Sequence, residues 1–373
     1  MKRDDRIIYA ASERCADLLY ITSFHAPDPF LWVRVGDQEM VVVSPLEFGR
    51  AVKQARKGIE VLSFAAAKKR FKARNAKPET LIAEIGRMLR VRRWLVPDDF
   101  PHGLAQRLSR RKIHVQTPRS AFFPERETKT RQEVAGITAG IRLAEAGLKA
   151  AVGILRQARI RNGMVYTGTD VLTAETLRGE IEATISRLGG IAAHTIVAPG
   201  RQGADPHNAG FGPIAADQTL IIDIFPRVTR TGYFGDLTRT LVKGKAPRLV
   251  KKAFAAVRKA RNYAQSVIRE GASGKAIHDK VTEMLTQAGF DTDAKANPPV
   301  GFFHGTGHGL GLEIHEPPRV STVDQTLVSG HVVTVEPGVY YPEWGGVRLE
   351  DVVVVQKRGC RTLTAAPSVL EIS

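Results

Sequence analysis

Thr219-Leu220-Ile221-Ile222-Asp223-Ile224-Phe225 reads as an apolar strand with a carboxylate set in its middle. Such a carboxylate is costly to bury unless it is paired or binds a cation, so Asp223 needs a partner. Asp236 opens the next β-forming run, Asp236-Leu237-Thr238-Arg239-Thr240-Leu241-Val242, and the intervening Gly232 and Gly235 supply a turn. A hairpin therefore brings the two aspartates together. The arrangement recurs further along. Glu336 ends His331-Val332-Val333-Thr334-Val335-Glu336, Pro337-Gly338 turns the chain, and Glu350 lies within Val347-Arg348-Leu349-Glu350-Asp351-Val352-Val353-Val354. Between the two pairs stands His304-Gly305-Thr306-Gly307-His308-Gly309-Leu310-Gly311-Leu312-Glu313-Ile314-His315-Glu316-Pro317-Pro318-Arg319. Singly, each residue has a plain structural account, such as an arginine partner, a turn or a packed imidazole. Jointly, four carboxylates and one imidazole, most of them on apolar strands, form an acceptor-rich cluster that divalent cations would neutralise.

Upstream of this cluster, Val134, Ile137, Ile141, Ala144, Leu148, Ala151 and Leu155 recur at three and four residues, which predicts a long amphipathic helix over 130–159. Thr167 and Asp170 have capping-box spacing and predict the start of a second helix, carrying Leu177, Ile181, Ile185 and Leu188 and stopping at Gly189-Gly190. Strands are expected at 194–198, 219–225 and 237–242. The order then repeats: Pro247 begins a helix lined by Val250, Phe254, Val257, Ala264 and Ile268, another helix spans 277–285 before Gly289, and strands follow at 331–335 and 348–355. Two helix-helix-strand halves suggest an internal structural duplication with a site between them, although no sequence repeat accompanies it. Residues 1–124 alternate short apolar runs with helical stretches, with strands at 16–24, 31–35 and 40–43 and a helix over 78–90. This reads as a small α/β domain, linked to the remainder by the segment between Pro118 and Pro124.

The 373 residues suit two domains of unequal size, and 43% hydrophobic with 25% charged residues is a globular balance. No apolar run reaches the roughly 20 residues of a membrane span. Met1-Lys2-Arg3-Asp4-Asp5 leads into mixed sequence rather than a signal-peptide stretch, so the protein is expected to be cytoplasmic. Cys15 and Cys360 stand far apart, in neither a CxxC nor a CxxH setting, which leaves oxygen and imidazole to hold any metal. The net charge of +17 invites a nucleic-acid reading, and much of the excess lies between Arg50 and Arg119, as in Lys68-Lys69-Arg70 and Arg90-Val91-Arg92-Arg93. With no nucleic-acid motif beside it, a solvated basic face is the plainer account, and nucleic acid is the lesser alternative.

Asp223, Asp236 in Gly-Asp-Leu-Thr-Arg-Thr, His308 in His-Gly-Thr-Gly-His-Gly, Glu336 in Thr-Val-Glu-Pro-Gly and Glu350 in Val-Arg-Leu-Glu-Asp resemble the five ligand positions of the pita-bread metallopeptidases, the prolidase and aminopeptidase P branch. The resemblance covers 125–373 and implies an α+β pita-bread catalytic domain. Residues 1–124 resemble, more loosely, the smaller creatinase-type α/β domain that precedes it. Two divalent metal ions are implied: Asp223 on one, His308 and Glu336 on the other, Asp236 and Glu350 bridging both. Four carboxylates then balance four positive charges. Manganese, cobalt, zinc or iron all suit oxygen-rich ligands with one histidine, manganese being favoured. The implied reaction is metal-dependent attack of water on the bond between an N-terminal residue and proline, with Glu336 carrying the proton to the leaving nitrogen. A homodimer is implied by the resemblance alone. The segment from Asp223 to Asp236 is two residues longer than the family's usual spacing, which a longer hairpin tip would absorb.

His207 in Asp205-Pro206-His207-Asn208, His304 and His315 fall at the family's substrate-histidine positions, where neutral imidazoles donate to the substrate carbonyl and the oxyanion. Arg319 falls where the dipeptidases carry an arginine for the substrate's C-terminal carboxylate, and a guanidinium fork suits that task. A surface arginine capping Glu313 or Glu316 is the alternative. Arg348, two residues before Glu350, is expected to hold a ligand carboxylate from behind. His25, His102, His114, His194, His278 and His331 are read as structural. An Xaa-Pro dipeptidase leads; an Xaa-Pro aminopeptidase on longer peptides, or a catalytically silent pita-bread binding protein using its basic surface, are the alternatives.

Overall fold

The computed structural model describes residues 5–373, so the opening Met1-Lys2-Arg3-Asp4 of the leader argument lies outside the described residues. The chain divides into two compact units, Met1–Arg126 and Glu127–Ser373. In the first, a six-stranded sheet has the order Glu60–Ser63, Gln38–Val43, Phe30–Val35, Arg6–Ala10, Arg93–Leu95, His114–Gln116. Only Phe30–Val35 runs antiparallel to its neighbours. Period-two alternation feeds two cores: Ile7, Leu31, Val33 and Val42 face one, while Ile8, Trp32, Val41 and Val43 face the other. Helices at Phe64–Arg70, Pro78–Leu89 and His102–Ser109 cover the first core.

One expected strand here is a helix. Ala16–Thr22 is α-helical, capped at Ser23 in the left-handed region with its N–H on the Leu19 carbonyl. The run Leu18-Leu19-Tyr20-Ile21 is apolar and short, and a buried segment of that length carries no period that separates helix from strand. The strands at 31–35 and 40–43 and the helix over 78–90 form, and Arg90 takes the left-handed C-cap.

The second unit carries two helix-pair-and-sheet layers. Arg131–Gln157 is closed by a complete capping box of Thr130 and Glu133. The expected box at Thr167 and Asp170 does not exist: both lie in a hairpin, Met164–Thr167 with Asp170–Val171, turned by Gly168 at φ 62°. The second helix is Ala174–Arg187, capped by Thr173 accepting from the Thr176 N–H. Sequence spacing alone does not separate a cap from a glycine turn three residues wide. These helices pack on Ile196–Pro199, Leu220–Ile224 and Leu237–Lys243, which Glu371–Ile372 joins in parallel.

The second layer sets Arg248–Val267 and Gly274–Gln287 on a five-stranded sheet, ordered Glu316–Val320, Gly307–Gly309, Val332–Val335, Asp351–Gln356, Gly359–Thr362. The expected strand 348–355 is in fact two. Gly345–Arg348 pairs with Gly338–Tyr341, and Asp351–Gln356 pairs with Val332–Val335. At the break the Glu350 N–H donates to the Thr238 carbonyl at 3.1 Å, and the Arg348 N–H to Thr240 Oγ1 at 2.9 Å. The chain thereby changes sheets against Leu237–Lys243. The apolar run is buried on both faces throughout, so its pattern gives no sign of the change.

His331 begins the strand that carries Glu336, and Val328 N–H donates to its Nδ1 at 3.1 Å. Burial, reinforced by the Lys129 charge, pushes its pKa down to about 4. The folded protein thus holds a neutral imidazole while the unfolded chain takes up a proton below about pH 6.5. The corresponding stability is complete above pH 6.5 and is lost as pH falls toward 4, by about 2 kcal/mol between pH 7 and 4.5. Urea unfolding at the two pH values should show this loss, and His331→Asn should remove it; an unchanged pH slope in the variant would exclude the effect.

Candidate metal centre

Both carboxylate hairpins form. Leu220–Ile224 pairs antiparallel with Leu237–Lys243, with Asp223 opposite Thr238, so Asp236 lies just before its strand and close to Asp223. Val335 pairs with Asp351, which leaves Glu336 and Glu350 facing one another just beyond the ladder. His308 lies in Gly307–Gly309, between Glu316–Val320 and Val332–Val335. Its neighbours have to be glycine: a Cβ on Gly307 would overlap the Thr334 carbonyl oxygen, and one on Gly309 the Pro317 carbonyl oxygen. This close backbone packing carries the imidazole to the carboxylates.

Ligand atoms of Asp236, His308 and Glu350 all lie within 4.8 Å of one another. His308 Nε2 is 3.2 Å from Glu336 Oε1 and 3.7 Å from Asp236 Oδ2. All five residues line one cavity of about 730 Å³, together with His207, His304, His315, Arg319 and Arg348. Every candidate site residue therefore converges there.

The supports come from residues two positions away on the same strands. Thr238 Oγ1 donates to Glu350 Oε2 at 2.8 Å, and Thr334 Oγ1 donates to Glu336 Oε1 at 3.2 Å while accepting from the His308 N–H. Arg348 Nη2 donates to Asp223 Oδ2 at 2.7 Å, and its Nη1 donates to the Tyr340 hydroxyl at 3.0 Å. Since Arg348 can only donate, the Tyr340 proton points to His304 Nε2, 2.8 Å away, and His304 Nδ1–H donates to the Gly305 carbonyl. Arg239 is buried and donates to the carbonyls of Thr238, Glu350, Ala366 and Pro367 and to Asp351.

Thr238, Thr334, Tyr340 and Arg239 were not singled out from sequence. The period of a strand would have found the threonines, because Asp236 with Thr238 and Thr334 with Glu336 share a face. Nothing local marks Tyr340 or Arg239, whose partners are distant in sequence. Glu316 is buried against Lys129, and the Arg319 side chain lines the cavity. His207 and His315 are exposed at the cavity wall, and the His315 ring stands edge-on to His308 at 4.4 Å. Burial, then the His308 charge, lowers the His315 pKa to about 4. His304 is likewise lowered to about 4, by burial first.

The donor set fits divalent cations. Asp223 Oδ1 and Glu350 Oε1 are buried oxygens without a hydrogen-bond partner, a costly condition that a cation would relieve. Burial, and then neighbouring carboxylates, raises the pKa of Asp236 and Glu350 well above the usual range. Burial opposes charge on His308 and Glu336 too, yet their mutual hydrogen bond and attraction outweigh it, placing His308 at about 9 and Glu336 at about 2. Without cations, burial and neighbouring carboxylates favour the protonated forms of Asp236 and Glu350, and His308 holds its proton. Binding of Mn²⁺ at pH 7 should therefore release protons, with affinity rising as pH rises. Calorimetry in buffers of different ionisation enthalpy measures this; binding without proton release would contradict the arrangement.

The model of metallopeptidase family M24 matches residues 135–357, more than half of the chain, and the chain belongs to that family. An Xaa-Pro dipeptidase of Pyrococcus furiosus is 34% identical over 175 residues, 46% of this chain and 47% of the relative. The chain thus matches about half the length of such curated relatives. The solved prolidase of Pyrococcus horikoshii superposes with a TM-score of 0.79 at 23% identity, covering 99% of this chain and 95% of that one. An X-Pro aminopeptidase of Thermotoga maritima reaches 0.82 at 22% identity, covering 100% and 98%. The fold is accordingly the α+β pita-bread fold in the C-terminal part, preceded by a smaller α/β domain.

Proposed function

We propose that this protein is a metal-dependent Xaa-Pro dipeptidase, with residues 125–373 as its catalytic domain and 1–124 as a creatinase-type companion. The observation that carries the reading is the convergence of four carboxylates and His308 on one cavity, with two buried carboxylate oxygens lacking any partner. Asp223 would hold one ion, His308 and Glu336 the second, and Asp236 and Glu350 both, with Arg348, Thr238 and Thr334 fixing the carboxylate orientations. Two divalent ions, manganese favoured, supply Lewis acidity that activates water and polarises the scissile carbonyl.

The remaining work falls to the chain's own side chains. Glu336 accepts the proton released by the attacking water and delivers it to the leaving nitrogen. His207 and His315, with imidazoles reaching the cavity, donate N–H groups to the substrate carbonyl and the developing oxyanion. His304 Nε2 is engaged by Tyr340, so it meets the substrate only when that bond opens. Arg319 receives the C-terminal carboxylate of a dipeptide in a bidentate pair. We also read the protein as cytoplasmic and, by the family resemblance alone, as homodimeric. No described helix is long and apolar enough to cross a membrane.

With Mn²⁺, the enzyme should release proline from an Xaa-Pro dipeptide and leave Xaa-Pro-Yaa tripeptides nearly intact, and Asp236→Ala and Glu350→Ala should be inactive. Arg319→Ala should raise KM for the dipeptide by about tenfold or more at little cost in kcat. Tripeptide preference would favour the aminopeptidase alternative. Absence of turnover with a metal-loaded site would end the peptidase reading.

A further inference from the structure

The catalytic reading leaves the charge unexplained. Residues 1–126 hold 25 lysines and arginines against 14 acidic side chains, so +11 of the chain's +17 falls on one third of its length. Part of this excess is gathered by the fold. Arg93–Leu95 and His114–Gln116 are parallel neighbours at one edge of the six-stranded sheet, with Arg93 opposite His114 and the His114 N–H donating to the Arg92 carbonyl at 3.0 Å. The segments entering these two strands therefore lie side by side. One brings Arg90, Arg92 and Arg93; the other brings Arg110, Arg111 and Lys112.

All six are exposed, and neither segment contains an acidic residue. The carboxylates of the flanking helix are engaged elsewhere, Glu79 with Arg107 and Glu84 with Arg87. Within the cluster, Arg111 reaches only a hydroxyl, Thr80 Oγ1, at 3.4 Å. Among the described residues none of these six cations is paired with a carboxylate; held together beside an edge strand they repel one another and are relieved by an anion of extended, repeating charge.

We propose that this edge binds the phosphodiester backbone of duplex nucleic acid. Five of the six charges are guanidiniums, whose paired N–H donors meet two phosphate oxygens at once. The apolar residues of the two segments, Val91 and Ile113, are buried, which leaves no wedge for a lipid surface. Trp94 is also fully buried, so no indole face is offered to unpaired bases. Contacts limited to phosphates give binding without sequence preference and with strong salt dependence. This inference stands on the first unit alone and is independent of the peptidase reading.

The test is fluorescence anisotropy of the full-length protein with a labelled 30-base-pair duplex across a salt series. Two variants are compared, each losing four positive charges. The edge variant is Arg92→Gln/Arg93→Gln/Arg110→Gln/Lys112→Gln. The control is Lys53→Gln/Lys57→Gln/Lys68→Gln/Lys72→Gln, exposed positions near the opposite edge strand Glu60–Ser63, roughly 20 Å across the sheet. Wild type should bind with log K falling against log salt at a slope of about −5, and the edge variant should lose three to four units of that slope and about tenfold or more in affinity. The control should stay within about threefold of wild type, and circular dichroism should show both variants folded. Equal losses in both variants would reduce the effect to net charge and overturn the proposal, as would no binding by wild type in low salt, or retention on anionic phospholipid vesicles in place of the duplex.

Discussion

Four carboxylates are folded largely out of solvent onto the wall of one cavity, and the arrangement of the second unit follows from having to hold them there. Asp223, Asp236 and Glu350 are buried, and Glu336 is nearly so. Like charges at this spacing in a low-dielectric interior cannot all remain ionised without cations, so protons or metal ions must be present. The polypeptide's part is to fix the geometry before either arrives. It does so by hydrogen bonds from threonine hydroxyls and arginine guanidiniums, and by an imidazole brought in on a glycine-rich strand.

The placement of Arg239 and Arg348 links fold to chemistry. Arg239 draws the backbone of Thr238 and Glu350 and the segment around Ala366 and Pro367 onto one guanidinium, beneath the junction of the two sheets. Arg348 stands on the cavity side of the same junction and joins Asp223 to Tyr340 and so to His304. A displacement at the junction would reach both carboxylate hairpins. The change of sheet between Arg348 and Asp351 is what puts Glu350 within reach of both halves.

Much of this centre was legible in the sequence because a charged residue in an apolar strand needs a physical reason to be there. Asp223, Asp236, Glu336 and Glu350 disclosed themselves by that cost, and the turns between them disclosed the hairpins. Less visible was anything decided by distant partners. The apolar run of Ala16–Thr22 looked extended and is helical, since its burial is set by residues far along the chain. Thr167 and Asp170 had the spacing of a cap but lie in a hairpin, and the real caps are Thr130 and Thr173. The strand break at Glu350 was hidden by burial on both faces. Tyr340 and Arg239 act through neighbours about 36 and 111 residues away, which no local pattern encodes.

The most direct test of this account is the number of metal ions the cluster holds. Inductively coupled plasma mass spectrometry after dialysis against Mn²⁺ should find two ions per chain in wild type and none retained in Asp236→Ala/Glu350→Ala, whose lost carboxylates are those proposed to be shared by both positions. A wild type that retains no metal, or a double variant that still retains two, would contradict the claim that these four carboxylates and His308 are folded around a pair of cations.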